Sequence, residues 1–64
     1  MIKSYTCFIH RPDKSVPNFL AVTCAGVDRA MVHAERAASE WDDWRTIEVF
    51  EGERRVAVRQ KDSS

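Results

Sequence analysis

Sixty-four residues are enough for one domain and no more, and a chain this short buries only about 60% of its unfolded surface, so each large apolar residue matters. Hydrophobic residues make up 44% and charged residues 31%, with two Gly and two Pro, which is the balance of a folded globule rather than a disordered tail. Ten basic residues meet ten acidic ones, which argues against a dedicated nucleic-acid binder and leaves room only for a local basic patch.

Residues 2–10, IKSYTCFIH, are rich in β-branched and aromatic types and predict a first strand. Tyr5, Cys7 and Ile9 share one face, the better core face, and Phe8 is left on the other. Arg11-Pro12-Asp13-Lys14-Ser15 is a turn by composition, and Pro17 belongs to the loop or to an edge strand because it cannot donate a ladder hydrogen bond. Residues 18–24, NFLAVTC, predict a second strand with Leu20, Val22 and Cys24 on one face. Placing Cys7 opposite Cys24, and Ile9 opposite Val22, gives one continuous apolar surface and is the expected register.

The helical signal is the clearest. Over residues 27–41, Val27, Ala30, Met31, Ala34, Ala37, Ala38 and Trp41 recur at steps of three and four, so the spacing predicts a helix with one apolar stripe. Its alanines let it approach a sheet closely. Gly26 is a tolerable N-cap, and Asp28 in the first turn suits the helix dipole. Val32 falls off the stripe. Asp42-Asp43 is unfavourable at a helix C-terminus and helps end it, so Trp41 and Trp44 bracket the corner into the next strand. Both tryptophans are expected to do core work, Trp44 less securely tied than Trp41.

Residues 44–51 and 54–60 predict a second hairpin turning at Gly52-Glu53, with Gly first as a type II′ turn requires. Glu51 then faces Arg54, Phe50 faces Arg55, Val49 faces Val56, and Ile47 faces Val58. The whole reads as an α+β domain of order ββαββ. One four-stranded antiparallel sheet is expected, in strand order 2-1-3-4 by a right-handed crossover, with the helix packed on one face. The domain spans residues 1–60, and 61–64 read as a frayed tail.

Candidate chemistry is thin. Cys7, His10, Cys24 and His33 match a zinc set in composition but not in spacing, since Cys7 and His10 point to opposite faces of one strand. Cys7 and Cys24 lie on the core face, where a thiol is inert. With two glycines the chain cannot build a phosphate loop, and Asp42-Asp43 in a turn is a solvated pair. No catalytic residue, cofactor or metal is expected. An enzyme using Cys7 or His10 is the least favoured reading.

The open sheet face carries more. A single helix leaves Phe8, Phe19, Thr46, Glu48, Phe50, Arg55, Ala57 and Arg59 on the other side. Phe8, Phe19, Phe50, Arg55 and Arg59 are the expected interaction surface, because protein interfaces are enriched in aromatic residues and Arg. The bland alternative is that Phe50 opposite Arg55 merely stabilises a hairpin. The expected function is a small non-enzymatic protein-interaction module, with self-association as a homodimer through this face as one form. The alternative is weak nucleic-acid binding through Arg45, Arg54, Arg55, Arg59 and Lys61, since RNA-binding sheets stack bases on aromatics in this manner.

Two cysteines are too few for a disulfide scaffold, Met1–Thr6 has no long apolar core of a signal peptide, and no apolar run reaches the roughly 18–20 residues that span a bilayer. Cytoplasmic residence without membrane contact is the expectation.

The layout, a helix running into EWDDW and a hairpin reading IEVFEGERRVAV, resembles small uncharacterised bacterial single-domain proteins of strand-strand-helix-strand-strand order. That resemblance covers nearly the whole chain and implies a stand-alone bacterial domain, with no activity or catalytic residue attached. The N-terminal pattern of two strands and a helix is also similar to HicB-type antitoxin domains in architecture alone, which does not give function.

Overall fold

The computed structural model describes residues 1–61. Strands β1 (Lys3–His10) and β2 (Asn18–Cys24) form the first hairpin, helix α1 (Val27–Ala38) crosses over, and β3 (Thr46–Glu51) and β4 (Arg54–Gln60) form the second. All pairings are antiparallel and the sheet order is β2-β1-β3-β4, as the crossover argument predicts. The helix packs on one face. Tyr5, Cys7, Ile9, Ile47 and Val49 point at it and meet Ala30, Met31, Ala34 and Ala38 in one core. The alanines bring the helix axis close to the sheet, so short side chains on one layer meet branched ones on the other.

Three details differ from the sequence-based expectations, each for a physical reason. In the first hairpin Cys7 lies opposite Leu20 and Ile9 opposite Asn18, not opposite Cys24 and Val22. The expected register would leave Asn18 to Leu20 facing the turn residues Arg11 to Asp13. The observed one pairs β2 along its whole length. The slip is four residues, an even number, so every side chain keeps its face.

The second correction lies in the other hairpin. The turn falls at Gly52-Glu53, and Glu51 and Phe50 face Arg54 and Arg55 as expected. Gly52 has φ +66°, and no other described residue has positive φ, which is the type II′ signature. Beyond it the register shifts: Val49 faces Ala57, Glu48 faces Val58 and Ile47 faces Arg59. Val56 is the extra residue of a β-bulge, and Val56 and Ala57 both pack against the core. The bulge moves Ala57 and Arg59 to the helix side and Val58 to the open side.

The third concerns the helix, which ends at Ala38 rather than Trp41. Ser39 Oγ donates to the Arg36 carbonyl at 2.6 Å, and the amides of Glu40 and Trp41 reach back only three residues, to Ala37 and Ala38. The last turn thus tightens and stops. Trp41 and Trp44 end up half-buried against the rim of the core. Arg11 lies over the Trp41 ring at 5.1 Å and Arg11 Nε donates to Asp43 Oδ1 at 3.0 Å. Lys61 Nζ sits over Trp44 at 5.5 Å, and the Lys61 amide donates to the Arg45 carbonyl at 2.8 Å. The two tryptophans therefore close one end of the sheet, and the chain is held there through Lys61. The remainder of the expected tail, residues 62–64, lies outside the described residues.

Candidate functional site

Alternation along each strand puts a second set of side chains on the face the helix leaves open. Register brings Phe19, Phe8, Glu48 and Val58 into one row across the four strands, and Ala21, Thr6, Phe50 and Arg55 into the next. Phe8 and Phe50 meet edge to face, with ring centres 5.4 Å apart and planes at 88°, the geometry that sets a positive ring edge against a negative ring face. Phe19 is 72% exposed and Val58 44% exposed.

Glu48 organises the centre of this face. Its Oε1 accepts from His10 Nε2 at 2.6 Å and its Oε2 accepts from Arg55 at 3.1 Å. The Glu48 side chain is only 21% exposed although no element among the described residues covers this face. The His10 hydrogen bond above all, helped by Arg55, holds its pKa below the ordinary carboxylate range against a smaller opposing push from desolvation. The polar groups at the middle of the face are thus bonded to one another, with aromatic and apolar side chains around them.

Of the expected surface residues, the structure brings Phe8, Phe19, Phe50 and Arg55 together on this face. It does not bring Arg59, which lies opposite buried Ile47 and pairs with Glu35 of the helix at 3.3 Å. Lys3 pairs with Glu51 at 3.5 Å. Three participants lie outside that expected set. Glu48 is already expected on the open side, though not as part of the interaction surface, and His10 could be found from its even spacing relative to Phe8, once β1 and β3 are neighbours. Val58 carried no such signal, because a strand without the bulge would bury it.

The cysteines and histidines are dispersed. Cys7 is fully buried, and burial first, then the neighbouring Cys24, pushes its thiol pKa up. Its Sγ points to the Ala30 carbonyl at 3.9 Å, and Cys24 Sγ donates to the Gly26 carbonyl at 3.2 Å. His10 is on the opposite face, and His33 is exposed on the helix. Among the described residues, no three His, Cys, Asp or Glu side chains are grouped so as to hold a metal ion, and no helix is long and apolar enough to cross a membrane. Comparison with protein-family models, curated proteins and solved structures finds no significant match to this chain.

Proposed function

We propose that this chain is a small non-enzymatic interaction module that docks a protein partner on its open sheet face. The observation that carries the reading is the row Phe19, Phe8, Glu48, Val58 with Phe50 beside it: apolar side chains ring a polar centre whose charges are already paired. Such a surface gains from aromatic and apolar contact, as the core of a protein interface does, and the pairing of its charges offsets part of the cost of covering them. A reacting thiol is disfavoured by the burial that keeps Cys7 protonated. Cytoplasmic residence belongs to the same proposal and fits two free cysteines.

The nucleic-acid reading loses support from the bulge. Arg55 is bonded to Glu48 on the open face and Arg59 to Glu35 on the helix side, so the arginines do not form one stripe. Affinity capture of the tagged protein from lysate, with and without nuclease, separates the two. A protein partner retained after nuclease is expected. Material that disappears on nuclease treatment supports the arginines as a nucleic-acid surface, and recovery of the chain alone contradicts the interaction module.

A further inference from the structure

The sheet has two outer strands, and they are guarded very differently. β4 carries Arg54, Arg55 and Arg59 and is interrupted by a bulge, two of the devices that stop an edge from pairing with another strand. β2 has neither. It runs regularly along β1 from Asn18 to Cys24, and no charged residue occurs between Ser15 and Val27. Among the described residues no strand pairs with its outer side. Its side chains are also incompletely covered on both faces: Leu20 and Val22 are half-buried on the helix side, and Phe19 is exposed on the open side.

We propose that β2 pairs with β2 of a second copy of this chain, antiparallel across a twofold axis at Ala21. A strand that meets its own copy meets its own charges. The three arginines of β4 would oppose themselves, whereas β2 has no charge to repel. The axis follows from the strand's length. An antiparallel pair related by a twofold axis must match residues of the same face, and centring on Ala21 overlaps Asn18–Cys24 with itself completely. Leu20 of one copy then faces Val22 of the other beneath the helices, Phe19 faces Thr23 on the open side, and Ala21 faces Ala21. Two four-stranded sheets become one continuous sheet, with both helices on one side and the two open faces adjoining on the other.

This association uses the edge, not the face proposed above for a partner, and it stands whether or not that partner exists. One strand pair is a small contact, at the low end of specific interfaces, so a weak, concentration-dependent dimer is expected. The test is sedimentation equilibrium over a rising concentration series of the full chain. Wild type should pass from 7.4 kDa toward twice that mass. Ala21 is exposed, so A21K and A21E leave the monomer fold intact, which far-ultraviolet circular dichroism checks. Each variant alone should dimerise about tenfold or more weakly, because like charges meet at the axis. An equimolar mixture of A21K and A21E should recover a dimer, and V58D, on the far strand, should dimerise like wild type. A wild-type chain that stays monomeric throughout overturns the proposal. So does a dimer that A21K leaves unchanged, a mixture that gives no rescue, or a dimer abolished by V58D.

Discussion

The two faces of the sheet are built from the same strands on opposite principles. The helix face is closed by shape: Ile9, Ile47 and Val49 meet Ala30, Ala34 and Ala38, and its buried residues are all apolar apart from a tyrosine ring and two thiols. The open face is closed by chemistry: Phe8 leans on Phe50, and Glu48 draws in His10 and Arg55. Stability resides mainly on the first face. The second keeps itself ordered without a covering layer, and so can remain available to a partner. In a domain this small, one face free of core duty is as much as the chain can spare.

The contrast predicts an ordering of mutational effects in urea denaturation. Ile47→Ala empties a fully buried site and should cost about 2–5 kcal/mol, enough to threaten folding of so small a domain. Phe8→Ala removes the edge-to-face pair on the open side and should cost about 1 kcal/mol from that contact, with part of its burial in addition. Equal losses at the two positions would break the distinction between the faces.

Glu48→Gln should cost less, on the order of 0.5 kcal/mol, since its partners are substantially exposed. This variant also sharpens the comparison through pH. The folded-state pKa of Glu48 lies below its unfolded value. Its stabilising contribution is therefore complete above the unfolded carboxylate pKa and lost as pH falls through the folded one. Wild type and Glu48→Gln should differ in urea midpoint near neutrality and converge in acid. A gap that persists in acid would mean the variant acts by packing rather than charge. The smallest effect belongs to Arg59→Ala, whose exposed pair with Glu35 should contribute roughly 0.3 kcal/mol.

Most of the fold was legible because two periodicities are strong: the three-and-four spacing from Val27 to Trp41 and the alternation of Tyr5-Cys7-Ile9 with Ile47-Val49. Faces survive a register error when the slip is even, which is why Leu20 and Val22 sit on the helix side although Cys7 does not face Cys24. The bulge at Val56 is different. It depends on how β4 must curve to keep both Val56 and Ala57 against the core, a tertiary demand that no local pattern carries. That one residue transferred Arg59 off the open face and Val58 onto it. The part of the site on β1 and β3 was therefore readable, and the part on β4 beyond the bulge was not. The helix end is not legible because Trp41 continues the apolar spacing while Ser39 has already tightened the turn.

The central claim is that the open face is the docking surface. It is tested most directly by repeating the capture from nuclease-treated lysate with a Phe19→Asp, Val58→Asp double variant beside an Arg59→Ala control. Both altered phenylalanine and valine positions are exposed, so folding should be retained, and a circular dichroism melt would check that. The account predicts that the partner is lost from the double variant and kept by the control. A partner that binds the folded double variant as well as it binds wild type would contradict it.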